Sequence, residues 1–177
     1  MAGQRLTDKT ALNEQTGSGD LFMLVDVNDT TGSAAGTSKK IDSKYIIQTD
    51  KISLSNAEVL DLHNNEKVLV GALSGYMVTI YNVTILCTYA SPDEIQRQNL
   101  LFGFDDTSDF FFWGRAISAM DTLTYNATYV VQAQSAPKIP TFNATILNKP
   151  FIVWATGAFG GGWSCDIYVT YAYTKIL

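Results

Sequence analysis

The sequence predicts an all-β protein whose C-terminal part is an antiparallel jelly-roll β-sandwich, preceded by a small, partly extended N-terminal segment. Three observations support this prediction. Residues 68–177 alternate apolar and polar side chains with a period of two, which is the pattern of strands with one buried face. Turn-forming Gly, Asp and Asn residues separate seven or eight such stretches. Helical periodicity is scarce, so the pattern favours a two-sheet sandwich over a mixed fold.

The strands are predicted in chain order at residues 68–70, 76–89, 100–104, 110–114, 124–132, 141–147, 151–156 and 164–174. Residues 100–114 are predicted to form a hairpin, because an Asp-rich turn separates their two apolar runs. The stretch 157–162 is interpreted as a tight loop whose glycines supply positive φ. In residues 76–89 one face is shared by Met77, Tyr81, Val83, Ile85 and Cys87, although Val78 and Ile80 make the other face partly apolar too. In residues 164–174 one face is shared by Cys165, Ile167, Val169, Tyr171 and Tyr173.

Charge and aromatic content divide the chain into two unlike parts. Residues 1–67 hold two aromatic and seventeen charged residues, whereas residues 68–177 hold nineteen aromatic and twelve charged residues. The second part has enough apolar surface to build its own core, and the first part does not. We therefore expect an attachment segment at 1–50, a linker with a short helix or strand at 51–67, and the sandwich at 68–177.

Composition argues against several classes of function. Twelve Lys and Arg against seventeen Asp and Glu, a net charge of −5, give no basic surface for nucleic acid. No apolar run approaches the roughly 18 residues that a membrane span needs. The opening residues lack the apolar core of a secretion signal, so we expect synthesis in the cytoplasm. We also expect no cofactor and no metal, since the chain has one His and two Cys.

The residues that would carry catalysis favour structural interpretations. His63 lies beside Asn64 and Asn65 in a polar turn, without a nucleophile motif in the sequence. Asp105, Asp106 and Asp109 fit a hairpin turn better than the paired carboxylates of a glycosidase. The sequence therefore predicts a protein that is not an enzyme.

The two cysteines, Cys87 and Cys165, both lie on the apolar faces of predicted strands. Two buried free thiols are the favoured interpretation, and a bridge between adjacent strands remains open.

Residues 110–113 are four consecutive aromatic residues, which cannot all face inward in one strand. Exposed aromatic rings mark subunit interfaces or sugar-stacking platforms, and a charge-poor chain favours the interface. The candidates for a subunit or glycan interface are Phe111, Trp113, Trp154, Trp163 and Tyr171.

Two stretches carry a resemblance to known proteins. Residues 6–41 contain Leu-Thr-x-x-Thr-x-Leu, then Asp-Leu-x-x-x-Val-Asp-Val, then Gly-Thr-x-Lys-Lys-Ile. This pattern resembles a small module of tailed-bacteriophage fibre and structural proteins. Residues 52–70, with Asn-Lys-Pro at 148–150, three glycines at 160–162 and Tyr-Val-Thr-Tyr at 168–171, are similar to a phage jelly-roll domain. The chain departs from that family at 71–75, which lacks the usual Pro and basic residue.

The resemblance implies a structural protein of the phage virion surface, a head fibre or capsid decoration, assembled as a homotrimer. Its N-terminal segment is expected to bind another virion protein through Leu21, Phe22, Leu24, Val25, Lys39, Lys40 and Ile41. The alternative is a tail-fibre adhesin that binds host surface glycans through the aromatic residues named above. The resemblance transfers no catalytic residue.

Overall fold

The computed structural model describes residues 21–32, 34–42, 46–105, 111–116, 123–132 and 146–175. The chain divides into two units, Met1–Lys44 and Tyr45–Leu177. The regular elements are β1 (Leu21–Asp26), β2 (Thr37–Asp42), β3 (Gln48–Leu54), α1 (Asn56–Asp61), β4 (Lys67–Val70), β5 (Tyr76–Thr88), β6 (Leu100–Phe104), β7 (Phe111–Ala116), β8 (Ala127–Val131), β9 (Phe151–Ala155) and β10 (Ser164–Lys175). The predicted all-β class is confirmed. Of the predicted strand at 141–147, residues 141–145 lie outside the described residues.

The second unit is a jelly roll. Its described residues form eight strands in two antiparallel sheets with the orders β3-β10-β5-β8 and β4-β9-β6-β7. The pairs β3–β10, β4–β9, β5–β8 and β6–β7 are nested along the chain, so the domain is one long hairpin rolled into two layers. The hairpin predicted at 100–114 is the innermost of these pairs. All the remaining connections between consecutive strands pass from one sheet to the other.

The sandwich begins about twenty residues before position 68, where the sequence predicted its start. Strand β3 pairs with β10 along its whole length, from Leu54 opposite Cys165 to Gln48 opposite Tyr171. Helix α1 follows at once, capped by a reciprocal pair of hydrogen bonds between Ser55 and Glu58. Residues 51–67 therefore contribute a strand and a helix to the domain. The alternation in β3 is weak, and its pairing with β10 places it in the sheet.

A β-bulge explains why one predicted face is wrong at Tyr81. Asn82 pairs with Thr170 but Ile80 pairs with Tyr171, so Tyr81 is an extra residue in β5. The extra residue inverts the alternation: Val78 is buried before the bulge, and Val83 is buried after it. Tyr81 itself is 55% exposed.

The core between the sheets is mostly aliphatic, and it includes a cluster of aromatic rings around Phe151. The ring of Phe104 lies 5.1 Å from it and the ring of Trp113 lies 5.6 Å from it at 90°, both measured between centroids. Phe102 stacks at 6.5 Å. These offset and edge-on contacts are the favourable geometries for aromatic pairs. The second sheet is therefore fixed to the core by side chains from β6, β7 and β9.

Glu94 is the single buried charged residue among those described, and it joins two connections between the sheets. Its carboxylate accepts the backbone N–H groups of Gly160 at 2.9 Å, Gly161 at 2.8 Å and Gln96 at 2.7 Å, and the indole N–H of Trp163 at 3.1 Å. A buried carboxylate is tolerated only when donors of this kind replace water. The β5–β6 connection is thereby fixed to the β9–β10 connection.

The same β9–β10 loop is held from its other side by helix α1. The amide of Asn56 donates to the carbonyl oxygens of Gly161 at 2.8 Å and of Trp163 at 2.9 Å. The loop glycines are needed for space rather than for positive φ, which corrects the prediction for 157–162. A Cβ at Gly162 would lie 2.3 Å from the carbonyl oxygen of Ser91.

We expect Gly162→Ala to destabilise the sandwich by about 2 kcal/mol or more, because the added methyl group meets backbone atoms that cannot move aside cheaply. Urea unfolding followed by tryptophan fluorescence measures the change. The matched control is Gly71→Ala, where the new Cβ has nothing within 4 Å. Equal midpoints for the two variants would contradict the steric argument.

We expect Glu94→Gln to lower the free energy of unfolding by about 2 kcal/mol, because an amide NH₂ replaces one acceptor oxygen among four N–H donors. The change is measured in the same urea experiment. Glu66→Gln, the same substitution at a residue that is not buried, should change stability by less than about 0.5 kcal/mol.

Candidate functional site

The predicted anchoring residues all lie in the hairpin of the first unit. Strands β1 and β2 pair antiparallel, with Leu21 opposite Asp42 and Asp26 opposite Thr37. Leu21, Phe22, Leu24 and Val25 belong to β1, and their side chains lie outside the described residues. In β2, Lys39 and Lys40 are exposed and Ile41 is half-buried. The hairpin thus presents two adjacent cations on one strand.

Two further apolar residues of the same unit are exposed, and neither was predicted as a site residue from the sequence. Met23 is 79% exposed and lies opposite Lys40 in the hairpin, and Val27, just after β1, is 68% exposed. Because residues 21–25 are all apolar, the period-two pattern gives no signal that separates the exposed side chains from the others. Exposed apolar side chains of this kind are candidates for burial against another protein.

The carboxylates of the turn between β1 and β2 have hydrogen-bond and ion-pair partners within the same hairpin. Asp29 accepts the backbone N–H of Thr31 at 3.0 Å and pairs with the ammonium group of Lys39. These contacts lower the pKa of Asp29 to about 2, and the hydrogen bond from Lys39 has the largest effect. Asp26 accepts the N–H of Asn28 at 3.0 Å. The turn is therefore ordered by hydrogen bonds of its own residues.

Two of the predicted interface aromatics are in the core of the sandwich. Trp163 is 1% exposed, and its indole N–H donates to Glu94. Tyr171 is also buried, and its hydroxyl donates to Asp50 at 2.8 Å and Gln48 at 3.0 Å. Burial, first, and the hydrogen bond to Asp50 raise the pKa of Tyr171. Neither ring presents a face to a ligand, which corrects the expectation for both.

The other three aromatic candidates lie on β7 and β9. Trp113 is half-buried with its ring edge-on to Phe151, and Trp154 is also half-buried. Phe111 begins β7, and its side chain lies outside the described residues. Strand β6 lies between β9 and β7, and its Leu101 pairs with Trp154 on one side and with Arg115 on the other. Because β7 and β9 are not neighbours, no two of the three aromatic residues are direct cross-strand partners.

A broad polar surface lies on the solvent side of the β3-β10-β5-β8 sheet, and we call it the outer face. Its residues are Thr49, Lys51, Ser53, Asn82, Thr84, Leu86, Thr128, Val130, Asp166, Tyr168 and Thr170, given by the register of the four strands. Its two charged residues, Lys51 and Asp166, pair with each other at 2.8 Å. The outer face therefore carries no net charge in a chain of charge −5.

The apolar members of the outer face lie together. Val130 is opposite Thr84, which is opposite Tyr168, and Leu86 is one step diagonal from Val130. Leu86 and Val130 are exposed, and Val130 is 61% exposed. Apolar and hydroxyl side chains with few charges are the composition of an interface centre.

The residues considered for catalysis have local partners. Nδ1 of His63 lies 3.0 Å from the carbonyl oxygen of Leu60, and Asp105 pairs with Lys149. Asp106 and Asp109 lie outside the described residues. Within the part of the chain that the structure describes, no three His, Cys, Asp or Glu side chains gather closely enough to hold a metal ion. The single helix in that part, α1, lacks the length and apolar content for a membrane span.

Comparison with known proteins finds several solved chains of similar structure. No protein-family model matches the chain, and no curated protein matches it. A chain of the structure titled "Cyanophage Pam1 capsid asymmetric unit" is similar with a TM-score of 0.36 and 8% sequence identity, over 98% of this chain and 99% of that chain. No residue role is transferred at this level of similarity.

We expect Trp113→Ala to lower the stability of the sandwich by about 2 kcal/mol, because the half-buried indole packs on Phe151 and its removal leaves a cavity beside the core. Chemical unfolding measures the loss. The control is Tyr125→Ala, since that ring is exposed and should contribute less than about 0.5 kcal/mol. Unchanged stability in Trp113→Ala would mean that the indole does not support the core.

Proposed function

We propose that this chain is a structural component of a bacteriophage virion, a trimeric head fibre or capsid decoration protein on the virion surface. In this role it binds and does not catalyse. The observation that carries the proposal is the division of the chain into a complete jelly roll and a separate N-terminal unit. The first suits a globular head, and the second suits an attachment to another virion protein. The trimer follows from the family resemblance.

The N-terminal unit has the properties of an attachment segment. Its described strands are only β1 and β2, and an isolated two-stranded hairpin is marginally stable in water. Met23 and Val27 expose apolar surface that burial in a binding site would remove from water. Lys40, which is exposed and lies opposite Met23 in the hairpin, favours a partner with acidic side chains at that site. These features support attachment through this unit rather than through the sandwich.

The outer face is the surface that we assign to contact between copies. Two identical chains of charge −5 repel each other, and the repulsion is weakest where a surface has no net charge. The outer face meets that condition because Lys51 and Asp166 neutralise each other. Leu86, on β5, and Val130, beside it on the edge strand β8, provide apolar area for burial.

We expect a protein consisting of residues 45–177 to fold and to lose attachment to virions, because all eight strands of the jelly roll lie after Lys44. Circular dichroism tests folding, and co-sedimentation with particles that lack this protein tests attachment. The full chain is the positive control. Attachment by the shortened protein would contradict the anchoring role of the first unit. Failure to fold would contradict the inference that the sandwich folds without the first unit.

We expect the double variant Leu86→Glu with Val130→Glu to dissociate the oligomer, because it brings like charges together on the part of the outer face formed by β5 and β8. The mass measured by light scattering should fall from three times 19.4 kDa to 19.4 kDa. The matched control is Val68→Glu, an exposed valine on the other sheet, which should leave the mass unchanged. A full chain that is already monomeric would contradict the proposed trimer.

The alternative function is a tail-fibre adhesin for host surface glycans. Jelly rolls also serve as lectin domains, and Trp154 retains partial exposure on β9. Trp154→Phe with Trp113→Phe preserves apolar bulk while changing the rings available for stacking. The adhesin predicts a loss of binding to host cells with the oligomer intact. The capsid role predicts that adsorption does not change.

A further inference from the structure

Two thiols near the end of the central strand pair have no part in the functions proposed above. Cys87 and Cys165 are 78 positions apart in the chain, yet they are direct partners in the register of β5 and β10. Both are free and both are buried. The fold has therefore placed the chain's only two cysteines opposite each other.

The backbone geometry of this position is compatible with a bond between the two sulfurs. Direct partners in an antiparallel pair have Cα atoms about 4.5 or 5.5 Å apart. Disulfides join residues whose Cα atoms are about 4.4 to 6.8 Å apart. Both side chains point to the same face of the sheet, since partners across an antiparallel pair share a face. Bridging them needs no change in strand pairing.

The surroundings of the pair offer a route from solution. A cavity of about 470 Å³ lies at this end of the sheet, and Cys165 is among the residues that line it, with Thr88 and Ser164. Cys87 and Cys165 are one residue from the ends of their paired segments, where strands open most easily. Burial raises the pKa of the Cys87 thiol to about 12, so reaction requires such an opening.

We propose that Cys87 and Cys165 form a reversible disulfide when the folded protein meets a low-molecular-weight disulfide. The thiolate of Cys165 attacks one sulfur of the reagent, releases one thiol and forms a mixed disulfide. The thiolate of Cys87 then attacks the sulfur of Cys165 and releases the second thiol. The protein loses two electrons and two protons, and the reagent is reduced to two thiols.

The bridge would link two central strands of one sheet across a long loop. Closing a loop of this length restricts the unfolded chain and raises stability. The thiols remain reduced in a reducing cytoplasm and become oxidised in an oxidising solution. This chemistry depends on the register of β5 and β10 and not on the proposed virion role.

The experiment treats the folded full-length protein with 2-hydroxyethyl disulfide, removes the reagent, and unfolds the protein in denaturant at neutral pH with excess N-ethylmaleimide, which alkylates the remaining thiols. We expect intact mass to fall by two hydrogen atoms with no alkylation, and a peptide map to join Cys87 to Cys165. The urea midpoint should move upward and return after reduction. Two alkylatable thiols after days of treatment would overturn the proposal, as would separate mixed disulfides on both cysteines.

Single variants separate the bridge from general reactivity. Cys87→Ser leaves one thiol, which can form only a mixed disulfide with the reagent. The mass of this variant should therefore rise by one hydroxyethylthio group in place of a hydrogen atom. Its urea midpoint should not move upward. Cys165→Ser provides the same test if the first variant fails to fold. A bridged wild-type protein with a lower urea midpoint than the reduced form would overturn the stabilising role.

Discussion

The carboxylate of Glu94 is the contact on which the arrangement of the two sheets depends. In the jelly roll, the β5–β6 and β9–β10 connections both pass between the sheets, and Glu94 lies in the first while its donors lie largely in the second. Because a buried charge without partners costs several kcal/mol, the second loop has to present its N–H groups at that point. The glycines satisfy this demand, since side chains there would meet the opposing loop.

This constraint determines which aromatic residues remain available for binding. Closure of the β9–β10 loop on Glu94 brings Trp163 into the core, where its ring lies edge-on to Phe159. The outer face, on the solvent side of the β3-β10-β5-β8 sheet, has Tyr168 as the aromatic residue among its named members. Its two charged residues, Lys51 and Asp166, pair with each other.

The bulge at Tyr81 and the pairing of β3 both result from contacts with a strand that is distant in the sequence. Both depend on β10, which pairs with β3 on one side and β5 on the other. The bulge keeps Val78 and Val83 inside together although their separation is odd, and it turns Tyr81 outward. The weakly patterned β3 becomes a strand because β10 offers it hydrogen-bond partners. Local sequence cannot report either outcome, because the partner is more than 80 residues away.

The sequence by itself determined the strands whose alternation is strong, the hairpin at β6–β7 and the contrast between a charged N-terminal part and an aromatic sandwich. Period-two burial is a local property, so β10 and most of β5 could be predicted from their own residues. Only the tertiary structure decided that Trp163 and Tyr171 are internal, that the sandwich starts at β3, and that Cys87 faces Cys165. Each of these depends on contacts between segments far apart in the chain, and such contacts are created when the nested hairpin closes.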